Sequence, residues 1–480
     1  MAIELMRECG LLIDGKWRTT SDRKPVSDKF TGDPVGDVSL ASSADVDFAV
    51  SSANRAFLHG APPPYERSEI LLRAASLVEE NKDTFAATMI AETGFTLSDV
   101  ANEIERCKQT LQASAEEAKR LVGEVVPISG APGQQNRIAF TIRQPCGVVL
   151  AITPFNSPLN TVTHKIAPAI ASGNSVVLKP STYTPLTAGL LCQVFLEAGL
   201  PSTLLSLVHG AGNTVGQALA AHELVRFIAF TGSTSVGLSL QLASGLRRTQ
   251  MELGSIACTI ACADADLGIA MPRVLSASFR KAGQVCTSIQ RLYVARSRMD
   301  EVKAALLGLV RNAKVGDPRQ KDTFVGPMID QREAERALTW CDDAVSAGAK
   351  RLAGGTRERS LMWPTVLANV PSQARVLNEE IFAPVVVMIP FDELETVIAD
   401  INSMQYGLAS GIFTKSIDKA FKAARALRVG SVHINETSSS RVDVMPYGGV
   451  KDSGFGHEGP KYAMREMTEE RLITLSLEGA

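Results

Sequence analysis

The run KAGQVCTSIQR (281–291) holds Cys286 between a glycine turn and a polar stretch. A cysteine reacts as its thiolate, so nucleophilic work needs a lowered pKa or a nearby base. The chain has eight cysteines, and by type alone Cys286 reads as one more small buried residue. Glu252, in MELGS (251–255), follows a predicted strand. A carboxylate there, beside a cleft, is a candidate general base; an exposed glutamate is the alternative. Asn156, in TPFNSP (153–158), carries a side-chain N–H able to donate to a developing oxyanion. Lys179, in VVLKPS (176–181), stands directly after a buried-type strand, where packing explains a lysine poorly. It could reach a ribose hydroxyl or a phosphate, or simply be solvated. FTGSTSVG (230–237) sets a glycine and hydroxyls at a strand end, before a predicted helix. Backbone N–H groups there suit a phosphate, and a plain helix N-cap explains the run equally well.

The elements that hold these residues follow from periodicity. Short apolar runs, GVVLAITPFN (147–156), NSVVLKPS (174–181), LLSLVHG (204–210) and RFIAFTGS (226–233), alternate with helical stretches such as PLTAGLLCQVFLEAGL. Such alternation predicts βαβ units and a parallel sheet, whose ligands bind at the carboxyl ends of the strands. Pro154, Asn156, Lys179, Ser181, Thr231, Gly232 and Ser233 all fall at those ends. No G-x-G-x-x-G occupies the first βα turn, which disfavours the usual phosphate grip. Upstream, apolar residues at three- and four-residue steps predict helices over about 64–122, with a stop at Gly94. After Glu252 the alternation resumes and predicts a second α/β domain to about 430. NRIAFTIRQP (136–145) and RLITLSL (471–477) read as strands with no obvious local partner, which could pair with another subunit.

At 480 residues the chain is too long for one ordinary core, so two or three domains are expected. Hydrophobic residues at 45% and charged residues at 21% are an ordinary soluble balance, and a net charge of −2 gives no reason to expect nucleic acid or an anionic membrane. No apolar run is long enough to span a bilayer, and the start lacks the pattern of a signal peptide. The cysteines are scattered without a C-x-x-C, so no metal site is expected and reduced thiols in a cytoplasmic protein are.

Seven motifs then stand in one order: TPFNSP, VVLKPS, FTGSTSVG, MELGS, GQVC (283–286), EEIFAPV (379–385) and PYGGVKDSGFGHEG (446–459). Over nearly its whole length the chain resembles the NAD(P)-dependent aldehyde dehydrogenase superfamily. The resemblance implies an α/β fold: a Rossmann-type cofactor domain, a second α/β catalytic domain and a small β oligomerisation element. On that pattern 1–122 and 147–253 bind the dinucleotide, and 254–430 carry the nucleophile. Segments 123–146 and 464–480 are oligomerisation strands of a homodimer or homotetramer, and 431–463 are the substrate loop and the return to the cofactor domain. Cys286 matches the nucleophile that forms a thiohemiacetal and then a thioester. Asn156 and the Cys286 backbone N–H match the oxyanion donors, and Glu252 matches the base that activates water. Its presence argues for hydrolysis to a free acid rather than transfer to coenzyme A. The cofactor, NAD or NADP, would contact Thr153, Pro154, Phe155, Lys179, Ser181, Thr182, Gly212, Thr231, Gly232, Ser233, Val236, Leu253, Gly254, Glu380 and Phe382. Thr182 stands where NAD-preferring members often carry an acid, and so permits the 2′-phosphate of NADP.

For the aldehyde, Ser157 and His164 replace the aromatics of members acting on apolar substrates. Arg106 lies on the helix NEIERCKQTLQASAEEA (102–118), about a third of a turn off the stripe of Ile104, Cys107 and Leu111 at roughly 100° per residue. Alone it is a solvated arginine; by resemblance it falls where branches acting on phosphorylated aldehydes carry one. Arg441, with Ser440 in a hydroxyl-rich loop, and Thr287 complete the candidate substrate set. An arginine fork suits a phosphonate, sulfonate, phosphate or carboxylate. A small aldehyde with an anionic head group is therefore expected, phosphonoacetaldehyde first. Sulfoacetaldehyde, succinic semialdehyde, lactaldehyde and glyceraldehyde 3-phosphate remain open, as does a catalytically silent structural protein of the same fold. Arg291 follows the nucleophile into a strand and is expected to be structural.

Overall fold

The computed structural model describes residues 6–477. Residues 1–5 and 478–480, the outer ends of two segments assigned above, lie outside the described residues. The first large sheet has eight strands, in spatial order Gly454–Phe455, Arg248–Glu252, Val225–Thr231, Val148–Ile152, Ser175–Lys179, Leu205–Leu207, Leu11–Ile13 and Lys16–Arg18. The five strands from Arg248–Glu252 to Leu205–Leu207 run parallel. Their side chains alternate between two cores: Val149 and Ala151 pack on one face, Val148, Leu150 and Ile152 on the other. Burial on both faces is why these strands read as unbroken apolar runs. In chain order the winding starts at Val148–Ile152, proceeds one way to Leu205–Leu207, then reverses to Val225–Thr231 on its other side. The crevice at such a reversal, outside the carboxyl ends, is where a doubly wound Rossmann-type sheet binds ligand.

A second, seven-stranded sheet runs Lys350–Ala353, Thr365–Ala368, Val385–Phe391, Ile289–Ala295, Ala257–Ala261, Ala409–Phe413 and Ser431–Ile434. Only its Lys350–Ala353 edge is antiparallel. Arg291 is buried here, donating to the Leu377 carbonyl. The strand after Cys286 begins at Ile289, so Cys286 sits on the turn leading into it.

The helices predicted over 64–122 are Pro64–Glu80, Lys82–Thr93 and Leu97–Ala118. Gly94 ends the second with φ 73°, and a Cβ there would lie 2.3 Å from Pro327. Thr96 and Asp99 form a reciprocal cap at the start of the third.

The two strands with no obvious local partner pair with each other: Arg137–Pro145 and Thr468–Ser476 are antiparallel in continuous register from Pro145↔Thr468 to Arg137↔Ser476. More than 300 residues separate them in sequence, so no local signal announces the pairing. Val125–Val126 completes this three-stranded sheet, which exposes Leu472 and Leu475.

Candidate active site

Cys286, Asn156 and Glu252 line one cavity of about 280 Å³. Asn156 follows the strand Val148–Ile152, and Glu252 ends Arg248–Glu252, so both lie at carboxyl ends near the reversal. Cys286 arrives from the seven-stranded sheet. Three consecutive residues before it adopt left-handed backbone: Lys281 (φ 53°), Ala282 (φ 52°) and Gly283 (φ 69°). Only glycine fits the last, since a Cβ there would lie 2.1 Å from the Ala383 carbonyl oxygen. Such a turn needs outside support. Lys281 supplies it: its buried ammonium bonds Glu103 Oε2 (2.5 Å) and the Asn156 carbonyl (2.9 Å). Glu103 Oε1 meanwhile accepts from Ser157 Oγ and the backbone N–H groups of Leu159 and Asn160. One lysine–glutamate pair thus locks the Cys286 turn to the Asn156 turn. Asn156 Nδ2 donates to the Gln284 carbonyl at 2.9 Å, which leaves one N–H for an oxyanion.

Burial pushes the Cys286 thiol up to about 11, opposed by a hydrogen bond with Tyr447 and by the charge of Arg441. Glu252 is buried, and neither carboxyl oxygen has a hydrogen-bond partner among the described residues. Burial first, then the nearby Glu458 charge, hold it well above the usual carboxylate range. Glu458 is held low, despite its own burial, by Lys165 (3.1 Å) and Arg441 (2.7 Å). Of the two carboxyls, Glu458 keeps the charge and Glu252 the proton. Such a carboxyl can act as a base only once it has given up that proton, a form favoured as pH rises.

The far end of the cavity differs from expectation. Arg106 lines it, but its guanidinium makes a two-point bond to Asp443, Nη2 to Oδ1 at 2.7 Å and Nε to Oδ2 at 3.0 Å. Arg441 lines it too, paired with Glu458. His164 does not reach the cavity; it is buried behind the wall, with Nε2 2.8 Å from Asp443 Oδ1. In the loop it is Ser439, not Ser440, that lines the wall with Thr287, their hydroxyls 3.0 Å apart. Ser157 lines the cavity while donating to Glu103. The residue that sequence reasoning missed is Arg280. It lines the same wall, donates to Ser439 Oγ at 2.7 Å, and has no carboxylate partner among the described residues. It stands six residues before Cys286, just after the helix Leu267–Phe279. Glu458 and Lys165 were also missed. A lysine inside the apolar helix Asn160–Ala171 was the available signal, because a buried ammonium needs a carboxylate.

The other carboxyl ends offer a donor set that fits a dinucleotide. Lys179 is buried, pushed down to about 8 by desolvation, and among the described residues bonds only the Pro180 carbonyl. Ser233 precedes the helix Thr234–Ser244 without capping it, so that N-terminus is open to a phosphate. A Cβ at Gly232 would strike the Phe230 ring at 2.5 Å, which keeps the turn tight. Val236 is exposed on this helix, and Gly212 begins an open turn where a Cβ would meet nothing. The Thr153 hydroxyl is buried and has no partner among the described residues. Ser181 accepts from the Tyr183 N–H, and Thr182 beside it is half-buried, presenting no carboxylate. Phe155 and Phe382 meet edge-to-face, with Pro154 beside them in sequence. Glu380 accepts from the Ser255 N–H (2.9 Å), lies against Gly254, and is raised to about 7 by burial. Thr231 and Leu253 line the cavity itself. Among the described residues no cluster of side chains could hold a metal ion, and no helix is long and apolar enough to cross a membrane.

A family model described as the aldehyde dehydrogenase family matches residues 17–473. A 3-sulfolactaldehyde dehydrogenase of Priestia aryabhattai is 44% identical over 98% of this chain and 99% of its own length. Among solved structures, an aldehyde dehydrogenase of Physcomitrella patens in complex with its reaction product succinate superposes with a TM-score of 0.96 at 34% identity, covering 98% of this chain and 99% of that one. An NADP-dependent glyceraldehyde-3-phosphate dehydrogenase of Bacillus halodurans, complexed with NADP, gives 0.95 at 34% identity, with the same coverage.

Proposed function

This chain belongs to the aldehyde dehydrogenase family, and from that premise we propose that it oxidises a small aldehyde bearing a monoanionic head group to the free acid, with NAD or NADP. Cys286 attacks the aldehyde carbon, and Asn156 Nδ2 with the Cys286 N–H receives the oxyanion. The dinucleotide, when bound, supplies the hydride acceptor. Lys179, Ser233, Glu380 and Phe382 would hold it. Glu252 takes a proton from the water that hydrolyses the acyl-cysteine. The relatives named above act on or bind molecules with an acid group at the far end.

The observation that carries the head-group reading is Arg280. Arg106, Arg441 and Lys281 each form a close ion pair with a carboxylate, whereas Arg280 forms none among the described residues and feels the charge of Asp99 only at longer range. One unmatched guanidinium suits one negative charge. A sulfonate or carboxylate therefore fits better than a doubly charged phosphonate, and 3-sulfolactaldehyde is the first substrate to test, with succinic semialdehyde second. Phosphonoacetaldehyde serves as the dianion arm.

The test is kcat/KM for these three and for butanal, with wild type, Arg280→Ala and Arg106→Ala. Arg280→Ala is expected to cost the monoanions about 10–100-fold, the scale of one lost hydrogen-bonded charge, and to leave butanal within about threefold. Arg106→Ala should cost less, because Asp443 already engages that guanidinium. Equal losses on butanal and the anions would sink the head-group reading.

The same reading includes a homodimer or homotetramer built on the open three-stranded sheet, since Leu472 and Leu475 are exposed there. Light scattering after gel filtration should give a multiple of the chain mass, reduced by Leu472→Glu. A wild-type mass of one chain would refute it.

A further inference from the structure

We propose that the Tyr447 hydroxyl is a positioning and activating donor for Cys286, holding the thiolate before attack and receiving it again as the leaving group when the acyl-cysteine is hydrolysed. The inference rests on Cys286 being the nucleophile.

Tyr447 is buried, 8% exposed, with its hydroxyl 3.0 Å from Cys286 Sγ. Cys286 is the one hydrogen-bond partner the hydroxyl has among the described residues. Either group can donate while the cysteine is a thiol. Once it is a thiolate only the phenol can, and a bond to an anion is stronger than one to a neutral sulfur. The contact therefore favours the ionised form. The thiol proton leaves to water, and the phenol keeps its own.

Three features hold the phenol in place. Arg441 lies 3.9 Å over the ring centroid, and Glu458 anchors that guanidinium at 2.7 Å. The Tyr447 backbone exchanges both hydrogen bonds with Glu458, at 3.1 and 2.7 Å. Gly448 lets this strand pair approach, because a Cβ there would lie 2.0 Å from the Gly456 carbonyl. The charged groups facing Cys286 are otherwise mixed. Glu252 and Glu380 oppose the thiolate, Arg441 favours it, and Arg280 lies within electrostatic reach. With burial and two carboxyls against ionisation, a neutral donor aimed at sulfur has a job that none of the other cavity residues performs. In the thioester the sulfur carries no charge and the bond weakens; it strengthens again as hydrolysis expels the thiolate.

The test uses the full-length protein without substrate. The rate of Cys286 alkylation by iodoacetamide is followed by peptide mass spectrometry across the pH range, for wild type, Tyr447→Phe and a Cys286→Ala control. Phenylalanine keeps the ring under Arg441 and removes only the hydroxyl. The expected result is a midpoint moved up by about one pH unit and a rate about tenfold lower at pH 8, with melting temperature and cofactor binding unchanged. With an accepted aldehyde, kcat should fall while KM changes by less than about threefold. If Tyr447→Phe does not fold by circular dichroism, Tyr447→Leu removes the same hydroxyl for the same comparison. A midpoint that stays or moves down overturns the proposal. Aldehyde oxidation surviving in Cys286→Ala would instead overturn the nucleophile assignment on which it rests.

Discussion

Cys286→Ala is expected to lose aldehyde oxidation by about 10⁵-fold or more, which is to below detection, while still binding the dinucleotide. The size follows from what would be missing. Without sulfur there is no covalent adduct, and the remaining groups can only polarise the carbonyl through Asn156 and the backbone. The supporting turn should survive, because Lys281 reaches Glu103 and Asn156 without using the thiol. Cofactor binding, read by quenching of reduced-cofactor fluorescence, is therefore the control for folding. The wild-type profile tests the same assignment. The thiol is raised to about 11, so most of it is protonated at neutral pH, and acylation should accelerate as pH rises towards that value. Alkylation of Cys286 that does not impair turnover would contradict it, as would oxidation by the alanine variant.

The strand ends were legible in the sequence for a physical reason. Strands buried on both faces carry apolar runs without alternation, and the first polar residues after them mark the ligand edge. That is how Asn156, Lys179 and Ser233 stand out. Glu252 and Cys286 acquire meaning from order, since each sits within a recognisable motif. What could not be read is pairing across distance. Arg106 read as a solvated arginine because its partner Asp443 is more than 300 residues away. His164 looked like a pocket residue and is the third member of that same cluster. The strands Arg137–Pro145 and Thr468–Ser476 looked partnerless for the same reason. Arg280 was passed over because a helix end rich in basic residues is ordinary, until the fold shows that the other cations of the wall are matched. The proposal of an anionic substrate accordingly rests on Arg280 rather than Arg106.

Glu252→Gln should separate the two halves of the reaction. Attack on the aldehyde does not require the carboxylate, so a first turnover of reduced cofactor should still appear rapidly. On the proposed mechanism hydrolysis of the acyl-cysteine does require it, and steady-state kcat should fall by about 10²–10³-fold, within the range of a lost general base. Mass spectrometry of the quenched variant should then show the acyl group on Cys286. The pH profile carries the sign. Glu252 is raised well above its ordinary value, chiefly by burial and then by Glu458, so the base form is gained only as pH rises through that elevated value. Wild-type deacylation should climb along this limb, and the variant should lose it while the Cys286 limb remains. Stability should move the opposite way. A carboxyl raised in the folded state favours folding below its unfolded pKa, and that contribution is lost as pH rises through the folded value. Glutamine never ionises, so the variant should melt at or above the wild-type temperature at pH 8, with the gap closing in acid. A variant that turns over at the wild-type rate, or one whose burst and steady state fall together, would remove Glu252 from the hydrolytic step.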